Sequence, residues 1–234
     1  MELKNGELHI WKYSLNTEDY ISEKNNPLLS KNELTRCNQF LQESDKMRYI
    51  CNHRFVRNVL SLYLNIAASK INFDLETRGK PYIKNSNLFF NYSYRASYGL
   101  LAISKNQAVG VDIEKIKPLQ DILTFTEFSF SEKEKEIIFK SENELEPLFT
   151  FWTFKEAIIK LLGIGLNADL TKIDLSNFFY NELNPLSYSN NETFTIKKII
   201  VNQGFKAAFA LKGNLLKYQE FDFNEHKTYN QNQN

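Results

Sequence analysis

Two short segments hold the side chains best suited to chemistry. Gly110-Val111-Asp112-Ile113-Glu114 places two carboxylates at i and i+2. In a strand that spacing puts both on one face and Val111 with Ile113 on the other. Phe151-Trp152-Thr153-Phe154-Lys155-Glu156-Ala157-Ile158-Ile159-Lys160 reads as a helix. Phe151, Phe154, Ile158 and Leu161 form its apolar stripe, which leaves Trp152, Glu156 and Lys160 together on another face. Two carboxylates from a strand and one from a helix, with lysines beside them, suit a Mg²⁺ ion carrying phosphate. That ion takes hard oxygen ligands and borrows some from a phosphorylated substrate. Taken singly, each feature is ordinary: Asp112 and Glu114 fit a solvated strand face, and Glu156 with Lys160 fits a common helix pair.

The rest of the chain must position these residues. Residues 7–15 read as a first strand. Ser30-Lys31-Asn32-Glu33 is a capping box that opens a helix through Leu34, Cys37 and Leu41. Asp45 is expected to cap a second helix, with Ile50, Val56, Leu60 and Leu64 inward. Gly79-Lys80-Pro81 signals a turn. Strands follow at Phe89 to Asn91, Tyr98 to Ser104 and Val109 to Ile113. The second half repeats the first: Ser131-Glu132-Lys133-Glu134 is again a capping box, 101 residues after Ser30. At that offset Cys51 to Val56 aligns with Trp152 to Ala157, so Glu156 pairs with Phe55 and Lys160 with Val59. Aromatic-rich strands close both halves, Tyr98 to Ile103 and Phe205 to Ala210. A pseudo-symmetric chain of this kind is expected to carry one active site, at the seam. The expected division is 1–105, 106–223 and a polar, disordered tail over 224–234.

A chain of 234 residues, 42% hydrophobic and 14% aromatic, can bury a sizeable core. Its net charge of +1 argues against bulk nucleic-acid binding. Residues 1–105 hold 15 Lys/Arg and 10 Asp/Glu; residues 106–234 hold 14 and 18. A basic half facing an acidic half suits a polyphosphate and a metal between them. The two cysteines, Cys37 and Cys51, form no disulfide framework, which fits a reducing compartment. No signal peptide or bilayer-spanning run is read, so a cytoplasmic protein without membrane partner is expected. The three histidines (His9, His53, His226) are dispersed, which disfavours a histidine-based metal site or triad.

The two chemical segments resemble the signature motifs of phosphopantetheinyl transferases, and Gly79-Lys80-Pro81 resembles a third. The length and the two-half layout resemble the Sfp-type branch of that family. The resemblance covers most of the chain, from about Ser30 to about Phe209. It implies an α+β fold, two similar α/β halves forming a pseudo-dimer. It implies an enzyme that moves the 4′-phosphopantetheine arm of coenzyme A to a serine of an acyl, peptidyl or aryl carrier protein, releasing adenosine 3′,5′-bisphosphate. By matching position, Asp112, Glu114 and Glu156 would hold Mg²⁺, or Mn²⁺ in its place. Lys80 would meet the coenzyme A phosphates. Lys155 and Lys160 would sit at the pyrophosphate and polarise the leaving group. Arg48 matches a basic residue near the nucleotide, and Ser93 and Tyr94 fall where the family binds coenzyme A. Glu156 would be the general base, directly or through water, kept ionised by Lys155 and Lys160. A monomer is expected.

Two positions depart from the pattern. The family often reads Asn-x-Ser-His where this chain reads Asn91-Tyr92-Ser93-Tyr94-Arg95, so a Tyr replaces a phosphate-contacting His and Arg95 is left to supply charge there. Met47 stands where a His often precedes the match to Arg48. A relative that holds coenzyme A or a carrier protein without turnover is the alternative reading. A different Mg²⁺-dependent phosphotransferase is disfavoured, because no Walker-type loop or kinase signature occurs.

Overall fold

A computed structural model of the chain describes residues 1–15, 28–165, 169–180, 186–188 and 192–225. Strand β1 (Glu7–Ser14) is followed by helices α1 (Lys31–Cys37) and α2 (Glu43–Leu64). The short strands β2 (Asp74–Leu75) and β3 (Pro81–Tyr82) flank the Gly79 turn, where φ is +84°. Then come β4 (Leu88–Arg95), β5 (Tyr98–Lys105) and β6 (Val109–Lys115). Helices α3 (Ile122–Ser129), α4 (Glu132–Lys140), α5 (Leu145–Leu162) and α6 (Ser176–Tyr180) precede β7 (Leu186–Tyr188), β8 (Glu192–Lys198), β9 (Phe205–Lys212) and β10 (Lys217–Asp222).

Two four-stranded sheets result, ordered β10-β1-β5-β4 and β6-β9-β8-β7. The inner order β1-β5-β4 repeats as β6-β9-β8, and α1 with α2 repeats as α4 with α5. The repeated helices start 101 residues apart at Lys31 and Glu132, and 102 apart at Glu43 and Leu145. A 3-10 turn follows each long helix, at Ala68–Lys70 and at Leu170–Lys172. Both capping boxes form as the sequence predicts, Ser30 with Glu33 and Ser131 with Glu134. The duplication is therefore visible in topology and capping alike. The last strand breaks it: β10 runs parallel to β1 in the first sheet.

Three apolar clusters hold the layers. Phe55, Val59 and Leu60 of α2 pack on Trp11, Tyr13, Leu101 and Ile103 of the first sheet. Phe154, Ile158 and Leu161 of α5 pack on Phe194, Ile196, Ala208 and Ala210 of the second. Between the sheets lie Leu8, Ile10, Leu100 and Ala102 with Val109, Val111, Ile113 and Phe209. The middle cluster makes the halves one body, because each strand of β1, β5, β6 and β9 buries both faces. Among the described residues no helix is long and apolar enough to cross a membrane.

Local details differ from expectation at three places. Helix α1 stops at Cys37, and Leu41 beyond it is exposed. Helix α2 starts two residues before Asp45, with Gln42 at its cap, and Asp45 is ion-paired to Arg48 inside the first turn. Asn224, read as tail, exchanges two hydrogen bonds with the Ser14 backbone. Residues 226–234 lie outside the described residues.

Candidate active site

The edge strands β4 and β6 lie side by side at the seam. An exposed edge invites unwanted pairing, and here each edge is covered by the other half. Side chains of β4 reach across to β6, and among them Asn91 Oδ1 accepts from Val111 N at 2.8 Å. Residues on β4 alternate. Phe90 and Tyr92 pack toward α2, while Asn91, Ser93 and Arg95 turn to β6. On β6, Gly110 and Asp112 face α5, opposite the buried Val111 and Ile113.

Helix α5 crosses β6 at Gly110, where a Cβ would lie 2.0 Å from the Ala157 carbonyl oxygen. Only glycine permits that approach. It brings Glu156 and Lys160 over the two strand acids. Lys160 Nζ donates to Asp112 Oδ1 at 2.6 Å and to Ser93 Oγ at 3.0 Å. Ser93 in turn donates to Asp112 Oδ1 at 2.9 Å. Arg95 Nε stands 2.9 Å from Glu114 Oε2, an ion pair whose angle falls short of a hydrogen bond. Asp112 Oδ2, Glu114 Oε2 and Glu156 Oε1 are buried and lack a hydrogen-bond partner.

The electrostatics follow from this crowding. Burial first, then the Asp112 charge, pushes the Glu156 carboxyl up to about 7, against the pull of Lys160. Glu114 is raised for the same two reasons. The expectation that flanking lysines keep Glu156 ionised is thus overturned: one of the two lysines is elsewhere, and desolvation outweighs the other. The acids are held by Lys160 and Arg95, and among the described residues no three acidic, histidine or cysteine groups form a closed metal-binding set. The convergence of all three acids on a ready-made ion site is therefore not what this state displays.

Lys155 is not at the site. It is fully buried and ion-paired to Glu134 at 2.6 Å, on another face of α5. Consecutive helical residues point about 100° apart, so Lys155 and Glu156 cannot both face the seam. Lys80 also departs from expectation. Its ammonium donates to the carbonyls of Val109, Lys160 and Leu161 at 2.7–3.2 Å, closing the end of α5. Those bonds use all three of its donors. It lines a cleft of about 220 Å³ with Arg78, Asn91 and Lys160.

Tyr94 points to the α2 side, where burial pushes its hydroxyl pKa up against the pull of Arg48 and Arg36. Arg95 is turned away from them to Glu114, so charge near Tyr94 comes from those arginines. Met47 packs against the first-half core. The sequence marks Asn91 only as a motif letter and Glu134 only as a capping acid, and it gives Arg36 and Arg78 no role. The period-2 pattern Asn91, Ser93, Arg95 is the signal that marks Asn91; Arg36 and Arg78 carry none.

Duplicated α/β halves with an acid-and-lysine seam define the class of protein, and the comparisons name it. A family model described as "4'-phosphopantetheinyl transferase superfamily" matches residues 108–221. A second, "4'-phosphopantetheinyl transferase, N-terminal", matches residues 19–106. Each covers one half, and the chain belongs to the 4′-phosphopantetheinyl transferase superfamily. It is similar to 4′-phosphopantetheinyl transferase HetI of a Nostoc species, 26% identical over 91% of both chains. It is also similar to 4′-phosphopantetheinyl transferase Sfp of Bacillus subtilis, 25% identical over 77% of this chain and 80% of that one. The crystal structure of Thermotoga maritima holo-[acyl-carrier-protein] synthase aligns over 46% of this chain and 63% of its own, with 20% identity. The TM-score of that alignment is 0.31.

Proposed function

We propose that this chain transfers the 4′-phosphopantetheine arm of coenzyme A to a serine of an acyl, peptidyl or aryl carrier protein. The observation that carries this reading is the seam itself. Three carboxylates each offer a buried oxygen without a hydrogen-bond partner, beside one lysine. Structural carboxylates in a core are normally satisfied. Asp112 and Glu156 each keep an unpartnered oxygen and Glu114 meets Arg95, so a cation drawing the three together would satisfy them.

The donor set is all oxygen and suits Mg²⁺. Asp112, Glu114 and Glu156 would hold the ion, which when bound would neutralise charge on the pyrophosphate. The remaining work falls to the chain's own residues. The carrier serine Oγ attacks the phosphorus that bears the pantetheine arm. Its bond to the bridging oxygen breaks, and adenosine 3′,5′-bisphosphate leaves. Glu156 accepts the serine proton, directly or through a water. Lys160 moves from Asp112 to the leaving phosphate and stabilises its charge. Arg48, Arg36 and Tyr94 receive the nucleotide end, with Ser93 at the edge of the pyrophosphate.

The test is mass spectrometry of carrier proteins incubated with coenzyme A and Mg²⁺. A gain of the phosphopantetheine mass, lost on chelation, is expected. Binding of coenzyme A with no mass gain on any of a panel of carriers would overturn it in favour of a non-catalytic relative.

A further inference from the structure

The Glu134–Lys155 pair lies outside the seam, yet it sits one residue from Glu156. Both side chains are wholly buried. Lys155 Nζ also donates to Ser129 O and Leu170 O, each at 2.8 Å, and stands 5.1 Å from the Phe130 ring centre. Glu134 accepts from Ser131 N at 2.7 Å and from Leu175 N at 2.9 Å. Four segments therefore meet at one ion pair: the end of α3, the start of α4, the middle of α5 and the stretch around 170–175.

We propose that Lys155 is a positioning residue, which through Glu134 fixes the roll of α5 and so sets where Glu156 and Lys160 stand against β6. The kinetic part of this proposal rests on the transferase reading above; the structural part does not. The other directional contacts of α5 lie at its two ends, Lys206 to Glu146 at the start and the Lys80 and Lys160 bonds at the finish; along its middle the packing, by Phe154, Ala157, Ile158 and Leu161, is apolar. Apolar burial is non-directional and does not by itself select one roll angle. Hydrogen bonds and ion pairs do, because they weaken steeply with angle. The leverage is large. A side-chain tip rides roughly 6 Å from the helix axis, so a roll of about 10° moves it about 1 Å. A misplacement of about 1 Å can cost on the order of a hundredfold in rate.

The first half contains a related pairing whose cation sits about one helical turn further on, since Lys155 falls on Arg54 at the 101-residue offset. Glu33, the other capping-box acid, pairs with the buried Arg57 of α2 at 2.6 Å. Arg57 donates to Ala68 O and Ile71 O and lies 4.9 Å from the Phe73 ring centre. A capping acid, a buried cation on the long helix, one carbonyl of the following 3-10 turn and an aromatic ring occur in both halves, the cation and the ring at non-equivalent positions. Only in the second half does the helix so paired carry charged residues at the seam.

The test compares Lys155→Met, Glu134→Gln and the double variant, with Lys155→Gln in reserve should Lys155→Met not fold. Measurements are made well below each melting midpoint. Each single variant is expected to lower kcat by on the order of a hundredfold, with the coenzyme A KM nearly unchanged. The double variant should be no worse than the worse single, because both break one device. A crystal structure of Glu134→Gln should show the Glu156 carboxylate displaced relative to Asp112. A raised coenzyme A KM for Lys155→Met but not for Glu134→Gln, with additive effects, would place Lys155 on the substrate and overturn the proposal. So would variants that melt earlier but keep parental kcat and Glu156 geometry, the mark of a purely structural pair. A parent chain that transfers nothing would sink the transferase reading, and the displacement of Glu156 in the crystal would still decide this one.

Discussion

Replacing Gly110 with alanine should disable the site without touching a charged residue. A Cβ at Gly110 would lie 2.0 Å from Ala157 O, 2.4 Å from Leu161 N and 3.0 Å from Leu161 Cα. All three atoms belong to the backbone of α5, so no side chain can swing aside. Heavy-atom contacts settle near ~3.5 Å, and α5 must therefore retreat from β6 by roughly 1.5 Å. The 2.6 Å contact between Lys160 and Asp112 would open to about 4 Å, beyond a hydrogen bond. Overpacking of this kind costs about 1–3 kcal/mol, and the rigid neighbours place Gly110→Ala at the upper end. For a chain of this size that lowers the melting midpoint by roughly 6–12 °C. Turnover should fall by on the order of a hundredfold for each ångström of retreat. The assay pairs thermal melting with carrier modification followed by mass spectrometry, on protein held well below its midpoint. Gly99→Ala is the control, because its Cβ meets the side-chain oxygen of Asn52 and no atom of the α5 backbone. If Gly110→Ala melts and turns over as the parent does, the close approach of α5 does not set the site.

Four further outcomes are expected. Glu156→Gln keeps shape but cannot take a proton, so turnover should collapse while calorimetric coenzyme A affinity changes modestly; near-parental turnover would remove Glu156 as base. Lys80→Ala should lower the melting midpoint by uncapping α5, with little change in coenzyme A KM; a large KM rise at unchanged stability would return Lys80 to the phosphates. The folded Glu156 pKa of about 7 stands above its ordinary 4.5, so its stabilising share is full below 4.5 and is lost as pH rises through 7. Added Mg²⁺ should therefore raise the melting midpoint more at about pH 8 than at about pH 5.5, and an equal rise at both would detach the ion from Glu156. Arg48→Ala should weaken coenzyme A more than its 3′-dephospho form, by roughly tenfold if a charged contact is lost; equal losses would place the 3′-phosphate elsewhere.

Much of the fold was legible because it rests on local signals. Capping boxes and period-2 or period-3.6 patterns are written in short windows, and both boxes form. The partner of an edge strand is not local. Nothing near Lys217 announces that β10 returns to β1, since a half-buried strand reads the same beside any neighbour. The acids were legible from spacing, and the lysines were not. Lys80, Lys155 and Lys160 all read as phosphate-binding cations, yet one caps a helix, one is buried in a core and one faces the acids. A lysine's long stem lets the same letter serve three environments, and only the helical phase relative to Gly110 separates Lys155 from Lys160.

The duplication explains what it takes to build a site on this frame. Shifted by 101 residues, Asp112, Glu114, Glu156 and Lys160 fall on Trp11, Tyr13, Phe55 and Val59. All four of those are buried in one cluster under α2, with Tyr13 and Phe55 stacked at 5.1 Å. In each half the four positions lie where the same strand and long helix cross. In the first half they are apolar, and their burial stabilises the fold. In the second they are charged, burial works against them, and Glu156 is driven up to about 7 as a consequence. Such a site must be held by its surroundings: by the Gly110 contact, the Asn91 bridge across the seam and the Glu134–Lys155 pair. The charged half thus keeps carboxylates and a lysine at the four positions where the aromatic half packs apolar side chains, and burial works against the carboxylates in that half alone.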